Sequence, residues 1–144
     1  MMRIAIASDH AAVELRQSVA KRLAELGHVV DDLGCGLGER VDYPRYAAAV
    51  CGAVVQGAAD RGILLCGTGI GMSIAANKIV GIRAALVHDV TTARLSAEHN
   101  NANVLCLGAR STGPMIVQEC VEMWLATAFD PRHQARLDLI AQME

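Results

Sequence analysis

Apolar positions along this chain follow two rhythms that alternate from end to end. Short, mainly apolar runs fall at residues 4–7, 29–33, 63–65, 82–87 and 103–107. Runs of that length without polar alternation are how strands buried on both faces read. Between them the spacing becomes helical. Leu15, Val19, Leu23 and Leu26 recur at helical intervals and stop at Gly27, a C-terminal signal. Pro44 opens a helix reaching about Gly57, and the glycines after the third strand lead into a helix over 73–78. Asp89 reads as the N-cap of a helix over 89–99. Pro114 starts another, with Val117, Val121, Trp124 and Leu125 on its core face, and Asp130-Pro131 opens a last helix running to the C-terminus. Residues 34–43 form the longest loop. Regular alternation of strand and helix predicts an α/β fold, a three-layer α/β/α sandwich. Its centre is a Rossmann-like five-stranded parallel sheet with helices on both faces, and one domain spans 1–144.

Composition narrows the classes. Of 144 residues 53% are hydrophobic, which excludes disorder, and a net charge of −2 lacks the basic excess of a nucleic-acid binder. No apolar run approaches the ~18 residues of a membrane span. The first residues, Met-Met-Arg-Ile-Ala-Ile-Ala, are too short and strand-like for a signal peptide. Five cysteines (35, 51, 66, 106, 120) form no C-x-x-C and leave one unmatched, which fits a reduced, cytoplasmic protein.

In a sheet of this kind ligands bind beyond the carboxyl ends of the strands. Asp9-His10 follows the first strand, Cys66-Gly67-Thr68-Gly69-Ile70-Gly71 the third, and Gly108-Ala109-Arg110 the fifth. Cys66 therefore sits beside glycine-rich backbone and a helix start, a setting that suits an anion and should make a thiol more acidic. A phosphatase loop would need Arg six positions on, where Met72 stands. Met72 also replaces the third glycine of a dinucleotide motif, and neither a Walker lysine nor a metal-ligand spacing occurs. A nucleophile, a base and a small buried hydrophobe remain open for Cys66; Cys51, Cys106 and Cys120 read as packing. Arg132 and Arg136, four apart on the last helix, present either a solvated face or a phosphate clamp. His99-Asn100 closes a helix at the opposite sheet edge, so any role at this site would come from a partner chain.

Together the motifs resemble one family closely, the type B ribose-5-phosphate isomerases, which also include galactose-6-phosphate isomerase subunits. The matching pieces are Ser8-Asp9-His10, Glu39-Arg40-Val41-Asp42-Tyr43-Pro44, the Cys66–Gly71 loop and Ala75-Ala76-Asn77-Lys78. Gly81-Ile82-Arg83-Ala84, His99-Asn100-Asn101-Ala102-Asn103-Val104, Gly108-Ala109-Arg110 and Arg132-His133-Gln134-Ala135-Arg136 complete them. Cys66 with Met72 resembles the branch that uses a cysteine base; the other carries Gly and, six positions on, Glu. Asn101 departs from the Asp of many relatives.

The resemblance implies that Cys66 moves a proton between C2 and C1 of an open-chain sugar phosphate. It implies that Gly67, Thr68, Gly69, Ile70 and Gly71 hold the enediolate, with Thr68 aiding transfer between the oxygens. His99, assisted by Asp9, would open the furanose ring, while Tyr43 and Asn100 line the sugar. His10, Arg110, Arg132 and Arg136 would hold the phosphate. It implies no cofactor and no metal, and a homodimer or dimer of dimers with shared active sites. The expected reaction interconverts D-ribose 5-phosphate and D-ribulose 5-phosphate, as in the pentose phosphate pathway. A tetrose or hexose phosphate is the alternative, and a non-catalytic sugar-phosphate-binding module a more distant one. Neither nucleic acid nor membrane is an expected partner.

Overall fold

The computed structural model describes residues 1–144. Five strands, β1 (Arg3–Ser8), β2 (Val29–Asp32), β3 (Arg61–Cys66), β4 (Ala84–Leu86) and β5 (Val104–Gly108), form one parallel sheet in the order β2-β1-β3-β5-β4. The helices are α1 (Val13–Glu25), α2 (Tyr43–Val55), α3 (Ile70–Ala76), α4 (Val90–Glu98), α5 (Pro114–Ala126) and α6 (Gln134–Ala141). A 3-10 turn, Pro131–His133, precedes α6.

Alternate residues of the buried strands divide between two cores, as the two-residue period of a strand requires. Ile4, Ile6, Ile63, Leu65, Leu105 and Leu107 face α1, α4 and α5. Ala5, Ala7, Leu64, Cys66, Val104 and Cys106 face α2 and α3. All four residues assigned to the core face of α5 are buried, Trp124 completely. Helices thus cover both faces, as expected. The edge strands β2 and β4 are less buried than the central three. Asp89 caps α4, its carboxylate accepting from the Thr92 N–H at 2.7 Å.

Four expectations need correction. The helix after Cys66 begins at Ile70 rather than Ser73, so Gly71 and Met72 belong to its first turn. β4 keeps only 84–86 of the expected 82–87, because Ile82 turns back to donate to the Ile79 carbonyl. Arg132 and Arg136 do not share one α-helix: Arg132 lies in the 3-10 turn, held where Asp130 accepts its N–H at 3.0 Å. Leu26 is 43% exposed, since α1 has ended and the chain is reversing into Gly27.

Candidate active site

The chain passes from β1 to β2 on one side of the sheet and to β3 on the other, so the strand order reverses between β1 and β3. That reversal opens a crevice past their carboxyl ends. Ser8 pairs in register with Leu65, and Cys66 with Gly108, which brings the starts of three loops level. The Asp9 N–H donates to the Leu65 carbonyl at 3.1 Å, and the Ala109 N–H to that of Cys66 at 2.9 Å. Asp9 is itself buried, and its carboxylate accepts from the Ala11 N–H at 2.9 Å, the tight turn an aspartate makes after a strand.

Cys66 is 5% exposed and its sulfur accepts the Gly69 N–H at 3.1 Å. Gly69 has φ +79°, and a Cβ there would stand 2.6 Å from Leu86 and 3.0 Å from the Leu107 backbone. Only glycine satisfies both demands, and the turn it makes aims the amide at the thiol. The Ile70 N–H donates to Thr68 Oγ1 at 3.3 Å. In the first turn of α3, the Gly71 amide has no carbonyl of its own helix to pair with. The Tyr43 ring lies over Gly71 so closely that a Cβ would be 2.6 Å from Cζ. Arg110 crosses Gly67, about 3.5 Å from where its Cβ would be. The loop is thus a small cradle of backbone amides with a thiol on one wall, a phenol on another and a guanidinium at its mouth.

Two clefts that share His10 and Arg40 lie beside this cradle. One of about 710 Å³ is lined by Asp9, His10, Arg40, Tyr43 and Arg45 among others. The other, about 410 Å³, joins His10, Arg40 and Arg110. The Val41 N–H donates to His10 Nδ1 at 3.3 Å, which orients the ring. The sequence alone singles out neither Arg40, inside the Glu39–Pro44 block, nor Arg45, just beyond it. Their positions follow from a loop whose path no periodicity reveals.

The remaining expected site residues lie elsewhere. His99 caps the end of α4, and its ring stacks on that of His133 with centroids 4.4 Å apart. The Asp130 N–H donates to the Glu98 carbonyl at 2.8 Å, which brings Arg132 to the same edge. Asn100 is exposed there, and Arg136 is exposed on α6. The Gly62 N–H bonds the Asn103 carbonyl, so this group sits at the start of β3 while Cys66 sits at its end. Four residues of parallel strand separate them, about 13 Å. Within one chain, then, Asp9, His10, Tyr43, the Cys66–Gly71 loop and Arg110 converge at the carboxyl edge. His99, Asn100, Arg132 and Arg136 gather at the amino edge, and Asp9 does not meet His99.

Charge is tuned at the amino edge. Arg132 Nε donates to Asp130 at 2.8 Å, and this bond holds the Asp130 carboxyl down at about 2. Burial pushes the Cys51 and Cys120 thiols up to about 11 and Cys106 higher still. All five cysteines are free and buried. No three His, Cys, Asp or Glu side chains come together in a metal-binding group, and no helix is long and apolar enough to cross a membrane.

Residues 4–140 match the profile of the family described as Ribose/Galactose Isomerase. The chain is 43% identical to the ribose-5-phosphate isomerase B of Escherichia coli, over 100% of this chain and 97% of that one. It is 44% identical to the D-erythrulose-4-phosphate isomerase of Pectobacterium atrosepticum, over 90% and 86% respectively. Its fold superposes on the structure of Clostridium thermocellum ribose-5-phosphate isomerase B with a TM-score of 0.96, at 44% identity, covering 99% of this chain and 97% of that one.

Proposed function

The chain belongs to the ribose/galactose isomerase family, and from that premise we propose that it interconverts D-ribose 5-phosphate and D-ribulose 5-phosphate with Cys66 as the base. The observation that carries this reading is the Cys66 sulfur, fixed by the Gly69 amide at the mouth of the crevice between β1 and β3. In the open-chain aldose the sulfur removes the C2 proton, and the electron pair flows through the new C1–C2 double bond onto O1. Amides of the Gly67–Gly71 loop stabilise that oxygen as charge develops. The thiol returns its proton to C1, while the O2 proton passes to O1 with the help of Thr68. Atoms balance without a redox partner. Proton transfer by one positioned base is worth ~10²–10⁴ in rate.

Tyr43 lines the sugar, and His10 and Arg110 hold the phosphate, whose binding energy fixes the reacting carbons. His99 opens the ring and Asn100 contacts the sugar, but from a second copy of the chain, with Arg132 and Arg136 completing the phosphate site. A homodimer in which the amino edge of one chain meets the carboxyl edge of the other brings these groups to the thiol. A dimer of such dimers is compatible with the same contact.

A second reading keeps the chemistry and changes the sugar. The similarity to an enzyme named for D-erythrulose 4-phosphate favours it, and the family description extends to galactose. Steady-state isomerisation of four-, five- and six-carbon aldose phosphates, with Cys66→Ala alongside, tests both. The pentose phosphate should give the highest kcat/KM. A higher value for another sugar overturns the substrate, and normal kcat in Cys66→Ala overturns the base. Phosphate-ester binding with no turnover of any sugar would leave a binding module.

A further inference from the structure

The block Gly81–Ala84 has no part in the chemistry above, yet its arginine reaches the turn that follows His99 and Asn100. Arg83 Nε donates to the Asn101 carbonyl at 3.0 Å. The Arg83 N–H donates to Asn103 Oδ1 at 2.8 Å, and Asn103 Nδ2 returns a bond to the Gly81 carbonyl at 2.9 Å. Asn101 is the one non-glycine residue with positive φ, +45°. Asparagine tolerates that left-handed conformation better than most residues, but it must still be held there. Next along the turn, the Ala102 carbonyl accepts from Arg61 Nη1 at 2.6 Å and from Trp124 Nε1 at 3.2 Å.

None of the ion pairs in the chain involves Arg83 or Arg61. Both guanidinium groups instead turn toward carbonyls of a single five-residue turn. Placing two like charges near each other is unfavourable, and burial with Arg83 nearby lowers the Arg61 pKa. Arg83 also borders a cavity of about 240 Å³ whose wall includes Asn100. A second clamp ties this region to the catalytic loop's own helix. Asn77, at the end of α3, exchanges two 2.9 Å bonds with the Ala84 backbone.

We infer that Arg83 is a positioning residue: by holding Asn101 in its left-handed conformation it sets the angle at which His99 and Asn100 are presented to the active site of a partner copy. The inference rests on the proposed shared isomerase site and names a residue that acts on it from outside. Misplacing a catalytic group by about 1 Å can cost ~10²-fold. Arg83→Gln is therefore expected to lower kcat/KM on ribose 5-phosphate roughly 10- to 100-fold.

Loss of activity alone would not distinguish positioning from damage to the fold, so the decisive readout is complementation. Co-expression of differently tagged Cys66→Ala and Arg83→Gln chains gives mixed dimers. In each, the Cys66→Ala chain lends an intact His99 turn to the intact thiol of its partner. Random pairing should restore about a quarter of wild-type specific activity, one whole site in half of the dimers. Arg83→Lys keeps the charge, perturbs the fold less, and is expected to complement in the same way with a smaller initial loss.

Wild-type activity in both Arg83 variants overturns the inference. So does lost activity that Cys66→Ala fails to restore, since the defect would then reach the carboxyl edge of the same chain. His99→Gln co-expressed with Cys66→Ala separates the two levels. If that pair does not complement, the shared site itself is wrong; if it does and the Arg83 pair does not, only the role of Arg83 falls.

Discussion

The two edges of the sheet hold their functional groups by different means. At the carboxyl edge the groups stand on strand ends and a glycine loop, and the contacts are short and local. Asp9, Cys66 and Ala109 are linked by bonds between adjacent strands, and Gly69 turns straight back onto the sulfur. At the amino edge His99 and Asn100 ride on a turn held by long side chains reaching in from β3, α5 and the segment before β4. A reactive centre that must be accurate is built into backbone. The groups proposed to serve a second copy are instead set by side-chain clamps.

Breaking the carboxyl edge should have the largest effect. Cys66→Ala is expected to lower kcat by about 10³-fold or more without changing the far-ultraviolet dichroism; a loss under tenfold would mean another group is the base. Gly71→Ala should follow, because its methyl would enter the Tyr43 ring, 2.6 Å from Cζ. A loss of roughly 10- to 100-fold in kcat/KM is expected as ring and loop separate. Unchanged kinetics would remove Tyr43 from the sugar site.

Gly69→Ala sharpens the contrast by acting on stability as well. Its positive φ and its contacts to Leu86 and Leu107 predict a cost of about 1–3 kcal/mol, read by urea denaturation. Strain absorbed with no loss of stability would show that the loop is looser than described.

The packing beneath both edges gives a pH test. Cys51 and Cys120 have thiols raised by burial to about 11. Unfolded chains ionise at lower pH, so stability is intact below about 9 and falls as pH rises toward 11. Melting temperature should drop across that window, and Cys51→Ala should flatten the slope after allowance for its packing loss. A melting temperature flat from pH 8 to 11 would contradict it.

The smallest effect belongs to one ion pair at the amino edge. Arg132 of the Asp130–Arg132 pair is exposed and Asp130 half-buried, so Asp130→Asn should lower the melting temperature slightly, and less in high salt. Because the Asp130 carboxyl titrates near 2, the pair persists through mild acid and is lost only as pH falls through that value. A large drop that is insensitive to salt would point instead to the Asp130 cap of the 3-10 turn.

Much of this is legible in the sequence. The mainly apolar central strands mark the class of sheet, and Asp89, Pro44 and Pro114 mark helix starts that the fold keeps, Pro44 one residue into α2. The gathering of Asp9, Cys66 and Arg110 followed from strand ends alone. The start of α3 was misjudged because glycine-rich residues read as loop, whereas here two of them form a cap and a first turn. Arg132 and Arg136 were joined by a four-residue spacing that a change of helix type undoes. Arg40, Arg45 and Arg83 were invisible as site or clamp residues, since their roles depend on loop paths and on contacts across 18 residues or more of chain.

The chain has one tryptophan, and the fold has placed its indole N–H on the Ala102 carbonyl, next to the turn that carries His99 and Asn100. Arg61 stacks over the same ring, 5.1 Å from its centre. The emission of Trp124 is thus a built-in optical gauge of the amino edge, sensitive to a cation and a hydrogen bond that both belong to that turn. Cys66 lies in the other core, across the sheet from it. Changes in its intensity would report on the amino edge, in real time and without a label.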